Sequence, residues 1–233
     1  EFSFELVEGD EVVATGTNNA EGKITMSPIE YTAAGKHAYT LREVPSDAGN
    51  GITYDGKTYT IETTITDNGR GELVAKHELK GDDEAKFSNS YKPNPGESSV
   101  TDQITATKVL DGRDLKDGEF SFELVEGEGE DAKVVATGTN DASGNITMSA
   151  VKYTEAGKHT YTLREAKGGT TSKGITYSDA KYTIETTITD NGDGTLKAEH
   201  VLKGTEPAEF KNSYSVTPID AELDFDLIKA IDG

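Results

Sequence analysis

The chain is written almost twice. "EFSFELVEG" occurs at 1 and again at 119, "VVATGTN" at 12 and 134, and "YTIETTITDNG" at 59 and 182. A repeat of this size is a domain and not a solenoid unit, so one fold must close within each copy and do so twice. The copies drift in spacing through small insertions such as "EGED" at 128–131. These fall between apolar stretches, where loops belong. "KPNPGESSV" at 92–100 separates the copies, and its Pro, Gly and Ser content predicts a short linker.

Within each copy the apolar period is two. Phe120, Phe122 and Leu124 alternate with polar residues, as do Tyr182, Ile184, Thr186 and Ile188, and turn dipeptides such as Asn191-Gly192 separate the runs. Seven or so short strands per copy and essentially no helix predict an all-β chain of two tandem immunoglobulin-like β-sandwich domains. The expected boundaries are 1–93 and 101–215, with 219–233 as the first strand of a further repeat.

Composition narrows the function. Asp and Glu number 43 against 23 Lys and Arg, a formal charge of −20, which repels nucleic acid and anionic membrane surfaces. No apolar run is long enough to cross a bilayer and no signal peptide is visible, so an export signal or anchor is expected outside these residues. Cysteine is absent, leaving packing or another crosslink to supply stability. "DNGDG" at 190–194 has Thr189 where a calcium loop needs Asp, and reads as a hairpin turn. His37, His77, His159 and His200 do not cluster as metal ligands and read as surface strand positions. No metal or cofactor is implied, and no catalytic triad order or phosphate loop suggests a turnover enzyme.

Three polar residues interrupt the apolar registers. Residues two apart on a strand share a face, so Lys108 falls in line with Ile104, Ala106 and Leu110, Glu165 with Tyr161 and Leu163, and Asn212 with Phe210 and Tyr214. Copy one repeats this with Glu43 beside Tyr39 and Leu41, and Asn89 beside Phe87 and Tyr91. Alternation leaves two readings open. Each residue bends out to solvent at a strand end, where a Lys–Glu pair is worth about 0–1 kcal/mol. Or the three meet in the core, where burial disfavours both charges and leaves a neutral amine beside a protonated carboxyl. The second arrangement is reactive: the amine can add to the Asn carboxamide while the carboxyl polarises the carbonyl and shuttles a proton, releasing ammonia and leaving an isopeptide bond.

"TKVLDGR", "FSFELVE", "YTLRE" and "FKNSY", in that order over about one hundred residues, resemble the CnaB-like isopeptide-linkage domains of Gram-positive pilins and surface adhesins, streptococcal major pilins among them. The resemblance implies a bond between Lys108 of a first strand and Asn212 of a last one, with Glu165 as catalyst. It also implies a stalk module at the cell surface or wall, whose partners are neighbouring repeats. Binding of a host protein or glycan through the loops is the alternative.

Copy one has Glu43 and Asn89 but no counterpart of "QITATKVLDGRDLKDG", and so no matching lysine. "DFDLIKAIDG" at 224–233 supplies one, Lys229, in register with Phe225, Leu227 and Ile231. The expectation is a donor strand and an empty slot, joined between copies of the chain by a Lys229–Asn89 bond.

Overall fold

Alternation becomes strand pairing throughout the computed structural model, which describes residues 1–46, 49–81, 84–204, 207–222 and 229–231. These are all-β apart from two single-turn 3-10 segments, Val100–Asp102 and Gly129–Asp131. The chain divides into two units, Glu1–Asn94 with Asp190–Thr195, and Pro95–Thr189 with Leu196–Gly233.

The first unit contains β1 (Ser3–Glu8), β2 (Glu11–Asn18), β3 (Ile24–Met26), β4 (Gly35–Val44), β5 (Ile52–Thr53), β6 (Thr58–Asp67), β7 (Leu73–Lys80) and β8 (Ser90–Tyr91). Six of them form one sheet in the order β3-β2-β1-β4-β6-β7, and β5 pairs with β8. In β1 the alternation stumbles at Leu6-Val7, two adjacent apolar residues. A bulge between them lets both side chains be buried.

The second unit contains β9 (Gly96–Ser98), β10 (Ala106–Asp111), β11 (Ser121–Glu126), β12 (Lys133–Asn140), β13 (Ile146–Met148), β14 (Val151–Tyr153), β15 (Gly157–Glu165), β16 (Thr171–Ser172), β17 (Ile175–Thr176), β18 (Lys181–Asp190), β19 (Leu196–Leu202) and β20 (Ala208–Tyr214). One sheet repeats the six-stranded order as β13-β12-β11-β15-β18-β19, bulge included. Opposite it lies a four-stranded sheet, β10-β20-β17-β16, in which β10 and β20 run parallel. Phe122, Leu124, Leu163 and Ile184 from the first sheet and Ala106, Ile175 and Phe210 from the second share one core. This is a two-sheet sandwich.

Two expectations change. Most of the stretch predicted as a linker, residues 95–100, packs within the second unit: β9 pairs with β14, Val100 is fully buried, and Ser99 closes a capping box with Asp102. The structural unit thus takes in residues 95–100 as well. His200, expected at the surface, is buried. Its Nδ1 meets Thr186 Oγ1 at 2.7 Å and its Nε2 meets Ser98 Oγ at 2.9 Å, while its backbone N–H donates to Gln103 Oε1. Residues 96–103 cover it, a contact from far along the chain that strand alternation does not register. Its counterpart His77 reaches Thr63 in the same way but stays exposed.

Burial holds the His200 imidazole below its usual value of 6.5, against an opposing pull from Asp102. The unfolded chain then takes up the proton more readily than the folded one, so stability is complete above that value and falls as pH drops through it. Comparing urea midpoints at about pH 7.5 and pH 5 should show a larger loss for the parent protein than for His200→Gln, which keeps a hydrogen-bonding amide and removes the titration. Equal losses would show that the buried imidazole is not the group responsible.

Candidate functional site

All three interrupting residues of the second copy point inward and meet. Lys108 is 3% exposed and Glu165 and Asn212 each 2%. The reason is the pleat: Ala106 and Lys108 on β10 face the core, as do Ala208, Phe210 and Asn212 on β20 and Tyr161, Leu163 and Glu165 on β15. Parallel pairing sets Lys108 opposite Phe210 and Leu110 opposite Asn212. Lys108 and Asn212 are thus diagonal neighbours on one face of the sheet, within reach of a long side chain.

A turn fixes β10 from the other side. The Lys108 N–H donates to Gly144 O at 2.7 Å. Gly144 sits at φ +91°, and a Cβ there would lie 2.4 Å from Lys108 O, so only glycine permits the approach.

Glu165 Oε1 is the hub. It accepts from Asn212 Nδ2 at 2.8 Å and lies 3.3 Å from Lys108 Nζ. Its Oε2 is buried without a hydrogen-bond partner. Lys108 Nζ also donates to Phe210 O at 3.3 Å and sits 4.4 Å from the Phe120 ring centroid, with Phe122 and Phe210 packed 5.1 Å apart nearby. In this dry aromatic surround burial pushes the Lys108 ammonium below its usual value, against the attraction of Glu165.

The carboxamide is held from both ends. The Ser178 backbone N–H donates to Asn212 Oδ1 at 2.7 Å, which orients the amide and leaves its nitrogen facing Glu165. The partner of the carbonyl is therefore a backbone N–H, whereas the sequence suggested the glutamate carboxyl. Residue identities could not reveal this, because any residue but proline can supply that donor. Copy one shows it: Asp55 stands where Ser178 does, and its N–H donates to Asn89 Oδ1 at 2.8 Å.

In the first unit Asn89 Nδ2 donates to Glu43 Oε1 at 2.7 Å, and Glu43 Oε2 is again buried and unpartnered. Two members of the trio are thus assembled in the arrangement of the second unit, and no lysine stands with them among the described residues. Lys229 is exposed and outside any strand. Phe225 and Leu227, and with them most of the expected donor strand, lie outside the described residues.

A family model described as FctA, Spy0128-like isopeptide containing domain, matches residues 1–92 and 104–215. Among solved structures, the T-13 major pilin of Streptococcus pyogenes is similar at 18% identity over 92% of this chain and 89% of its own, with a TM-score of 0.28. The T3.2 major pilin of the same species is similar at 15% identity over 91% and 88%, with a TM-score of 0.28. A variant of the S. pyogenes major pilin is similar at 14% identity over 91% and 89%, with a TM-score of 0.30. No curated protein matches the chain.

Proposed function

We propose, on the premise that this chain belongs to the FctA family of Spy0128-like isopeptide-containing domains, that it is a length of surface stalk whose second unit staples itself with a Lys108–Asn212 bond. The observation that carries the reading is the convergence of Lys108 and Asn212 on one buried oxygen, Glu165 Oε1. A buried ion pair is costly, and transfer of one proton from Lys108 to Glu165 relieves it. Lys108 Nζ, now neutral, adds to Cγ of Asn212, and the negative charge arising on Oδ1 is met by the Ser178 N–H. The carboxyl relays a proton from the attacking nitrogen to Nδ2, the Cγ–Nδ2 bond breaks, and ammonia departs. One lysine proton remains on Glu165 or leaves as ammonium. The reaction consumes its own groups and happens once, so the module is a structural element and not a turnover enzyme.

The topology gives the bond its mechanical sense. β10 and β20 are parallel neighbours, so tension applied before the one and after the other loads their ladder in shear. A covalent tie across that ladder carries the load in place of the hydrogen bonds. The same chemistry, with Glu43 as proton relay and Lys229 as amine, would join Asn89 to another copy of the chain. Surface display on a Gram-positive cell follows from the same reading.

Single-molecule pulling tests it. The parent chain should withhold the extension of the segment between residues 108 and 212, and Lys108→Met should release it. Equal contour lengths for the two would contradict a load-bearing staple.

A further inference from the structure

The amine of Lys108 feels a second carboxylate. Burial disfavours its ammonium form, and among the described residues two acidic groups pull the other way: Glu165 from β15, and Glu119 from the segment between β10 and β11. Glu119 directly precedes Phe120, whose ring centre lies 4.4 Å from Lys108 Nζ. In the reaction proposed above, Glu165 takes the proton it attracts. Glu119 has no such part, and an unpaired negative charge there would only hold the amine in its unreactive form.

Arg113 meets that charge. Its Nη1 donates to Glu119 Oε2 at 3.0 Å and its Nη2 to Glu119 Oε1, the fork-on-fork pairing that guanidinium and carboxylate shapes favour. The Lys116 backbone N–H adds a third bond, to Oε2 at 3.3 Å. The two side chains are only 27% and 17% exposed, so water screens the pair less than it would at an open surface. The guanidinium is placed by β20: its carbon lies 4.9 Å from the Tyr214 ring centroid. Gly112, at φ +98°, brings the chain so near the end of that strand that a Cβ would collide with Tyr214 O. Arg113 holds the Glu119 carboxyl below its usual range, so this carboxylate is ionised at neutral pH.

Phe120 does not depend on the ion pair for its position. Its N–H donates to Asn140 Oδ1 at 2.8 Å, Asn140 Nδ2 donates to Lys116 O at 2.9 Å, and its ring packs edge-on against Tyr177 at 5.8 Å. Breaking the pair therefore alters the charge beside Lys108 while the aromatic cover stays anchored.

We infer that Arg113 is a positioning residue for bond formation: its guanidinium neutralises Glu119 and so leaves Lys108 free to give its proton to Glu165. The inference rests on the Lys108–Asn212 chemistry proposed above and adds a residue that acts on it through Glu119. The bonds made and broken are unchanged. One proton passes from Nζ to Glu165, Nζ adds to Cγ of Asn212, the Cγ–Nδ2 bond breaks and ammonia leaves. Arg113 and Glu119 exchange no proton and form no bond.

The test is cell-free synthesis of the full chain, sampled over time by intact mass under denaturing conditions so that the loss of one ammonia is timed. Arg113→Gln should close about tenfold more slowly than the parent chain, the effect of one pKa unit on the supply of free amine. Arg113→Lys keeps the cation and should stay near the parental rate. Arg113→Gln combined with Glu119→Gln should also return to near that rate, although the ion pair is still missing, and Glu119→Gln alone should close no more slowly than the parent. A double variant as slow as Arg113→Gln would overturn the inference, because the pair would then act only as a clasp on the loop. So would Arg113→Gln closing at the parental rate. A parent chain that never loses ammonia sinks the Lys108–Asn212 chemistry itself, whereas a parent that closes while the variants keep its pace sinks this inference alone.

Discussion

Lys108→Met is expected to keep its full calculated mass and to melt on the order of 20 °C below the parent protein. The bond closes a loop of about one hundred residues, and in the chain-entropy model a crosslink of this span stabilises by about 4–5 kcal/mol. Methionine has nearly the length of lysine and suits the aromatic surround of Phe120, Phe122 and Phe210, so little of the effect comes from lost packing. Thermal unfolding followed by calorimetry, with intact mass on the same samples, reads both consequences. A variant with full mass that melts with the parent would show that the bond contributes nothing to stability. Asn212→Ala should behave alike in mass, because it removes the atom attacked.

Glu165→Ala is expected to cost more than Lys108→Met, because it prevents the bond and also leaves the Lys108 amine without its partner. Removing one partner of a buried ion pair leaves the other charge uncompensated, a loss of about 3–5 kcal/mol. Here the missing oxygen also strands Asn212 Nδ2. Glu165→Gln separates chemistry from packing, since the amide keeps the shape and an acceptor for Asn212 but cannot relay a proton. Bond formation in the Gln variant should slow by about 10²–10⁴-fold, the usual share of general acid–base catalysis. Following mass against time after refolding measures this. Closure at the parental rate would remove Glu165 from the mechanism and leave desolvation of Lys108 as the driving feature.

How much of this was legible in the sequence depends on how local each cause is. Period-two alternation put Lys108, Glu165 and Asn212 on apolar faces because a strand has only two faces, and the structure leaves all three buried. It could not choose between a core trio and strand ends turned to water, since that depends on which strands become neighbours. The parallel pairing of β10 with β20 decides it. The Ser178 N–H left no trace because a backbone donor has no residue identity, as Asp55 in the same role shows. His200 was misread for the opposite reason: its own strand gives it a solvent-facing look, and the cover comes from residues 96–103. In the same way Pro, Gly and Ser describe the turns of 92–100 and say nothing of the burial of Val100.

The two units together form a natural control. Glu43 and Asn89 are posed as Glu165 and Asn212 are, down to the backbone N–H on the amide oxygen and the unpartnered Oε2. No amine stands with them among the described residues. Among the described residues only the second unit brings an amine to the pair, so the bond this geometry predicts is Lys108–Asn212.

Intact mass of the purified monomer under denaturing conditions tests the account most directly. The account predicts the sequence mass less one ammonia, with Lys108 and Asn212 joined in a single branched peptide after digestion. A monomer at its full calculated mass would contradict it.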